Sequence, residues 1–225
     1  MSDARPLAVL GGTFDPIHYG HLRTALELYE GLDLCELRLI PAGQPPHRQA
    51  PSASAAQRLD MVQLAVEDDP ILDWDDRECH RHGPSYTVDT LADLRAELGP
   101  QQSVVLVLGA DAFAHLHAWE RWQQLLELAH IVVVHRPGTP LPDQGQAAKL
   151  LTQCGVESPA ALADCPAGRI LPWPVTPLDI SSSRIREHIA AGGSARYLVP
   201  NPVWRYICSH GLYQARPTAD PNSYR

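Results

Sequence analysis

The chain has 225 residues, of which 44% are hydrophobic, and this is enough apolar material for one α/β domain with a full core. Its formal net charge of −8 and isoelectric point near 5.7 argue against non-specific binding to nucleic acid or to an anionic membrane, so a polyanionic ligand must be held by local donors. No segment approaches the roughly 18 consecutive apolar residues of a membrane helix, the N-terminus lacks the pattern of a signal peptide, and the cysteines form no CxxC pair, so we expect a cytoplasmic protein with reduced thiols.

A short apolar run, a glycine-rich turn and an amphipathic segment open the chain. Residues 7–10 are all apolar and predict a buried parallel strand, and apolar positions at helical spacing over residues 21–32 predict a helix. The turn between them reads GGTFDPIHYGHL. Gly11 and Gly12 allow the backbone to approach a ligand closely, and the N–H groups of the first helical turn would face an anion.

Two histidines mark this turn. His18 and His21 are three residues apart, so they project from one side of the first helical turn if the helix begins near Pro16. Alternative interpretations are histidines of the core, a helix cap that accounts for Thr13 or Asp15, and a metal bound by the HxxH spacing. The clustering of histidines, glycines and proline favours a phosphate loop over the first two, and the lack of a third ligand nearby disfavours the metal.

Strands and helices alternate along the rest of the chain. Strands are predicted at residues 36–40, 71–76, 103–108, 131–134 and 169–173, and helices at 59–65, 85–98, 112–117, 122–128, 149–151, 181–191 and 202–209. The acidic end of the 71–76 strand suggests an edge, and Ser85 is a candidate N-cap. This alternation predicts an α/β fold with a Rossmann-like, doubly wound parallel sheet and a C-terminal helical segment. We expect one domain over residues 1–215 and a polar, loose tail over 216–225.

Two segments of the chain resemble signature motifs of the nucleotidyltransferase superfamily. His18-Tyr19-Gly20-His21 matches its (H/T)xGH signature after the first strand, and the late segment ISSSRIR, which ends at Arg186, matches its second hallmark. The two matches occur in the expected order. The resemblance therefore implies a nucleotidyltransferase.

Four further segments are similar to the bacterial nicotinate-nucleotide adenylyltransferases. They are PPHR at residues 45–48, SYTVDTL at 85–91, GAD at 109–111 with Trp119, and RPG at 136–138. The resemblance runs from Gly11 to about Tyr213. It implies transfer of the adenylyl group of ATP to nicotinate mononucleotide, which gives nicotinate adenine dinucleotide and pyrophosphate in NAD biosynthesis.

The resemblance also implies residue roles. The catalytic residues would be His18, His21 and Arg186. ATP would be bound by Gly11, Gly12, Thr13, Phe14, His18, His21, Asp111, Ser181, Ser182, Ser183 and Arg186, with Asp111 accepting hydrogen bonds from a ribose. Nicotinate mononucleotide would be bound by His47, Arg48, Tyr86, Thr87, Trp119, Glu120 and Arg136, with Trp119 stacked on the pyridine ring and backbone N–H groups near Thr87 and Glu120 receiving its carboxylate. Mg²⁺ would arrive with ATP, because the sequence shows no dedicated carboxylate cage and no other metal site.

Several alternatives remain open from the residues alone. Trp119 could be a packing residue, Arg136 a member of a surface ion pair, and Tyr86 and Arg58 structural residues. The acceptor could be nicotinamide mononucleotide or phosphopantetheine instead of the acid mononucleotide, and a non-catalytic nucleotide sensor could retain the same fold. The sequence also leaves open whether the chain forms a homo-oligomer.

Overall fold

Six strands form one sheet in the computed structural model, which describes residues 5–44, 50–135 and 141–215. The strands are β1 (Leu7–Gly12), β2 (Glu36–Pro41), β3 (Leu72–Trp74), β4 (Val104–Gly109), β5 (His130–His135) and β6 (Ile170–Pro174). Their spatial order is β3-β2-β1-β4-β5-β6, and every pairing is parallel. The predicted doubly wound parallel sheet is confirmed, with the short strand β3 at one edge.

The α-helices lie close to their predicted positions. They are α1 (Tyr19–Gly31), α2 (Ala55–Val66), α3 (Thr87–Leu98), α4 (Ala110–Ala114), α5 (Leu125–Leu128), α6 (Gly145–Cys154), α7 (Ser182–Ala190) and α8 (Asn201–Ser209). Short 3₁₀ turns cover Leu116–Ala118, Trp122–Gln124 and Pro159–Leu162. The prediction of Ser85 as an N-cap is wrong: Tyr86 occupies that position on α3, and the N–H of Ser85 donates to the carbonyl of Gln44 (3.0 Å).

Two layers of helices bury the two faces of the sheet. Side chains alternate along β1, so that Ala8 packs with α1, α2, α7 and α8, whereas Leu7 and Val9 pack with α3 and the short helices α4 to α6. Both sets of side chains are buried, which is why β1 and β4 carry apolar side chains on both faces of the sheet.

The strand order reverses direction beside β1. This strand pairs with β2 on one side and with β4 on the other, so the connections leave in opposite directions and open a crevice at the carboxyl ends of the strands. Within the described ranges, no helix is both long enough and apolar enough to cross a lipid bilayer.

Candidate active site

The crevice at the ends of β1, β2 and β4 forms a cleft of about 1040 Å³. This volume slightly exceeds the range for small-molecule sites, roughly 300–1,000 Å³, and suits a pair of nucleotide-sized ligands. The predicted site residues that line it are Gly11, Gly12, Thr13, Phe14, His18, His21, Tyr86, Thr87, Trp119, Glu120, Ser181, Ser182, Ser183 and Arg186. Asp111 is exposed at the start of α4 and is not among the lining residues. His47, Arg48 and Arg136 lie outside the described residues.

His18 and His21 are locked together by the start of α1. His18 is the N-cap, one residue before the helix rather than within its first turn as predicted, and its Nδ1 accepts from the N–H of Gly20 (3.1 Å). The Nδ1 of His21 in turn accepts from the N–H of His18 (3.3 Å), and the two rings stack with centroids 3.7 Å apart. A Cβ on Gly20 would lie 2.9 Å from Nδ1 and Cε1 of His18, so the glycine of the motif leaves room for this cap.

These contacts fix the tautomer of both imidazoles. A ring nitrogen that accepts a hydrogen bond carries no proton. Because Nδ1 accepts in both rings, each neutral ring is protonated on its other nitrogen, Nε2. Burial lowers the pKa of His18 to about 4. Burial, followed by the neighbouring charge of His18, lowers the pKa of His21 well below its ordinary value. At neutral pH the cleft therefore holds two neutral Nε2–H donors.

The backbone N–H groups at the start of α1 already donate hydrogen bonds to other atoms of the protein. The N–H of Tyr19 donates to the carbonyl of Leu198 (3.0 Å), that of Gly20 to His18 Nδ1, and that of His21 to the carbonyl of His18 (2.9 Å). The expectation that the N–H groups of this turn face an anion is therefore wrong. The imidazoles and the helix dipole remain able to interact with an anion at α1.

The start of α7 lies beside the start of α1. Ser182 Oγ donates to the carbonyl of Pro16 (2.9 Å), and Arg186 Nη1 donates to the carbonyl of Asp15 (2.7 Å). Ser181 caps α7 by accepting from the N–H of Arg184 (3.3 Å). Helix geometry leaves the N–H groups of Ser182 and Ser183 without partners inside the helix, so this second helix start can bind an anion.

The other end of the cleft is built by α3 and the segment after α4. The N-cap of α3, Tyr86, has no side-chain capping bond, so the first N–H groups of this twelve-residue helix have no side-chain acceptor at the cap. Trp119 and Glu120 line the same cleft as Tyr86 and Thr87 at this helix start. The next residue, Arg121, has a left-handed backbone (φ 45°) and pairs with Asp89 on α3 (2.5 Å).

Three buried polar residues near the cleft were absent from the predicted set. Arg58, 1% exposed, donates to the carbonyls of Thr13 (2.8 Å) and Gly43 (2.9 Å), so its structural alternative is the one observed. Glu78 accepts from the hydroxyl of Thr90 (2.6 Å), and burial raises its pKa. Asp15 is 3% exposed and joins several segments. In the sequence, Asp15 could have been identified only by its place within the glycine-rich motif, and no sequence pattern indicated Glu78.

Metal ligands are not clustered in the part of the chain that the structure describes: no group of three or more His, Cys, Asp or Glu side chains there has a suitable arrangement. Both carboxylate oxygens of Asp15, the nearest acid to the paired histidines in sequence, accept protein hydrogen bonds from Ser52, Ala53 and Tyr213. The donor set of the cleft thus suits anionic phosphates, and a cation there would take its ligands from phosphate oxygens and water.

Comparison with known proteins identifies relatives over nearly the whole chain. A family model described as cytidylyltransferase-like matches residues 9–188. The probable nicotinate-nucleotide adenylyltransferase of Marinobacter nauticus is 50% identical, over 93% of this chain and 97% of its own length. That of Hahella chejuensis is 49% identical, over 96% of this chain and 99% of its own length. Among solved structures, the nicotinic acid mononucleotide adenylyltransferase of Plasmodium falciparum complexed with NaAD has a TM-score of 0.70 at 17% identity and covers 93% of this chain and 97% of its own, a similarity of fold.

Proposed function

The chain belongs to the nicotinate-nucleotide adenylyltransferases within the cytidylyltransferase-like family, and from this we propose that its cleft is the site of adenylyl transfer from ATP to nicotinate mononucleotide. The products are nicotinate adenine dinucleotide and pyrophosphate. The observation that carries the assignment of the site is the contact between two helix starts, in which Ser182 and Arg186 bond to the carbonyls of Pro16 and Asp15. Paired imidazoles and an arginine with two hydroxyls thereby border one anion site.

The reaction needs no protein nucleophile. A phosphate oxygen of the mononucleotide attacks the α-phosphorus of ATP, a new P–O bond forms, and the bond between this phosphorus and the oxygen bridging to the β-phosphate breaks. The protein contributes alignment and stabilisation of the charge that builds on the phosphate oxygens. Donors fixed before substrate arrives serve this purpose best, because they need no reorganisation during the reaction.

One end of the cleft, formed by the starts of α1 and α7, supplies such donors, and we call it the phosphate end. His18 and His21 would donate from Nε2 to the α-phosphate region, and their neutral state at pH 7 makes this a hydrogen-bonding rather than a charge-pairing role. The N–H groups of Ser182 and Ser183 would bind the β- and γ-phosphates at the start of α7. Arg186, which is only part-buried and retains free guanidinium donors, would contact the leaving pyrophosphate. Gly11, Gly12, Thr13, Phe14 and Ser181 would form the wall of the ATP site.

The other end of the cleft, formed by the start of α3 and by Trp119 and Glu120, would bind the acid mononucleotide, and we call it the pyridine end. The nicotinate carboxylate would accept from the N–H of Thr87 at the uncapped start of α3, near Tyr86, and from the segment at Glu120, with Trp119 stacked on the pyridine ring. An amide would present donors to these N–H groups and lose part of the interaction. The proposed phosphate contacts of His47 and Arg48, the contact of Arg136, and the ribose contact of Asp111 rest on the resemblance alone.

We infer that Mg²⁺ enters bound to ATP and neutralises part of the triphosphate charge. The described side chains fit this arrangement, since they offer donors to phosphate and no carboxylate cluster. We also propose that residues 1–215 act as one domain, because a single sheet carries both ends of the cleft.

An acceptor assay tests the proposal. The purified chain is incubated with ATP, Mg²⁺ and nicotinate mononucleotide, nicotinamide mononucleotide or phosphopantetheine, and both the dinucleotide and the pyrophosphate are quantified. The expected result is stoichiometric formation of nicotinate adenine dinucleotide and pyrophosphate, with kcat/KM at least about tenfold higher for the acid than for its amide, as expected from one charge-assisted hydrogen bond. Equal rates with acid and amide, or transfer to phosphopantetheine only, would contradict the proposal.

A further inference from the structure

A buried carboxylate at the phosphate end has no part in the chemistry described above. Asp15 Oδ2 accepts from the N–H of Ser52 (2.7 Å), and Oδ1 accepts from the N–H of Ala53 (3.1 Å) and from the hydroxyl of Tyr213 (2.7 Å). Asp15 is 3% exposed. A carboxylate that is out of water and bonded on both oxygens is fixed in orientation.

Arg186 depends on the same residue. Its Nη1 donates to the backbone carbonyl of Asp15 (2.7 Å) and lies 3.9 Å from Oδ2 of the carboxylate. Its Nη2 lies 3.5 Å from Ser183 Oγ, on the side of α7 that lines the cleft. One nitrogen of the guanidinium is therefore anchored on Asp15, which directs the remaining donors toward the anion site.

Tyr213 reaches this junction from the far end of the chain. It follows α8 and contacts Asp15 across 198 positions of sequence. Burial and the Asp15 carboxylate raise the pKa of Tyr213 well above its ordinary value, so the hydroxyl stays protonated and donates to the carboxylate. Its backbone is left-handed (φ 65°), a conformation that a bulky residue keeps only where surrounding contacts hold it.

We propose that Tyr213 is a positioning residue for adenylyl transfer: its hydroxyl fixes Asp15, and Asp15 holds the guanidinium of Arg186 toward the leaving pyrophosphate. The C-terminal segment thereby completes the phosphate site without touching substrate. This inference rests on the proposed function, because it needs Arg186 to act on pyrophosphate.

A matched pair of tyrosines separates positioning from stability. Tyr213→Phe removes one hydroxyl that bonds to an aspartate, and Tyr206→Phe removes the same kind of bond, from Tyr206 to Asp60 (2.6 Å), between α8 and α2. Tyr206 and Asp60 are not among the residues that line the cleft. We expect kcat to fall about tenfold in Tyr213→Phe and to stay within about twofold in Tyr206→Phe, with KM for nicotinate mononucleotide unchanged in both and thermal midpoints lowered to a similar extent.

A double-mutant cycle with Arg186→Ala tests the route. If Tyr213 acts through Arg186, adding Tyr213→Phe to Arg186→Ala lowers kcat by less than about twofold further. The inference would be overturned if the losses in kcat from the two substitutions multiplied in the double variant, or if Tyr213→Phe were no slower than Tyr206→Phe. In either case, a low kcat in Arg186→Ala would leave the proposed function standing. A wild-type rate in Arg186→Ala would remove Arg186 from the proposed mechanism and the inference with it.

Discussion

The two ends of the cleft are prepared for ligand in different ways. At the phosphate end the side chains are anchored on backbone atoms: both imidazoles accept from N–H groups at the start of α1, and Arg186 is held by the carbonyl of Asp15. At the pyridine end the start of α3 has no side-chain cap, and the segment after Trp119 is tied to α3 by the exposed pair of Arg121 and Asp89. The end proposed to bind the reacting phosphates is thus fixed before binding, whereas the end proposed to select the acid mononucleotide keeps backbone donors available.

Replacing His18 should have the largest effect, because it removes a fixed donor from the phosphate end. His18→Asn keeps an N-cap acceptor for the N–H of Gly20 but lacks the Nε2 donor. We expect kcat to fall at least about 100-fold, with a smaller change in the Kd of ATP. Steady-state kinetics and ATP-binding calorimetry measure the two quantities.

His18→Ala serves as the control for capping in this experiment. It should lose a similar factor in kcat and also about 1 kcal/mol of stability, because alanine cannot cap α1. A His18→Asn enzyme with nearly normal turnover would show that His18 acts only as a cap.

The pH dependence of stability tests the neutral state of the paired imidazoles. The pKa of His18 is about 4 in the folded chain and 6.5 as an ordinary value, so the unfolded chain binds the proton more strongly. The contribution of neutral His18 to the free energy of unfolding is therefore complete above about pH 6.5, and it is lost as the pH falls toward 4. Between pH 7.5 and pH 5 the free energy of unfolding should decrease by about 2 kcal/mol more in the wild type than in His18→Asn. Denaturant unfolding at each pH gives this difference, and identical pH profiles would contradict it.

The sequence predicted the fold because its apolar runs are strong and regularly spaced. Residues 104–108 of β4 and 131–133 of β5 are buried, and such apolar runs alternating with helices permit few arrangements other than a parallel sheet. The motif order also brought His18 and Arg186 into one predicted site, and the structure places both at the cleft.

What the sequence did not predict depends on tertiary contacts and helix ends. His18 caps α1 although histidine is not a usual N-cap residue, and α3 begins one residue later than predicted, with Tyr86 rather than Ser85 as its N-cap. The bond between Asp15 and Tyr213 follows no periodicity that a sequence could display. Asp111 follows the end of β4 as predicted, and it lies exposed in the first turn of α4.

At the pyridine end, a proline substitution can remove the backbone N–H of Thr87 without breaking a hydrogen bond inside α3. Thr87 is the first residue of α3, where proline is tolerated, and Tyr86 before it is extended (φ −98°, ψ 133°), as a residue preceding proline must be. We expect Thr87→Pro to raise KM for nicotinate mononucleotide about tenfold and to lower the preference for acid over amide by a similar factor. Thr87→Ala keeps the N–H and should behave as the wild type. Equal selectivity in the two variants would remove this N–H from carboxylate recognition.

The exposed pair of Arg121 and Asp89 should give the smallest effect, because both side chains remain in contact with water (43% and 38% exposed). Arg121→Gln is expected to raise KM for nicotinate mononucleotide by less than about threefold, with kcat unchanged, by loosening the segment that carries Trp119. The difference from wild type should shrink in high salt, which screens exposed ion pairs. Arg5→Gln, which breaks an exposed pair with Asp33 away from the cleft, is the matched control and should leave KM unchanged. An increase in KM beyond about tenfold would mean that Arg121 binds the substrate directly, and the pyridine end would then hold a fixed charged donor like the phosphate end.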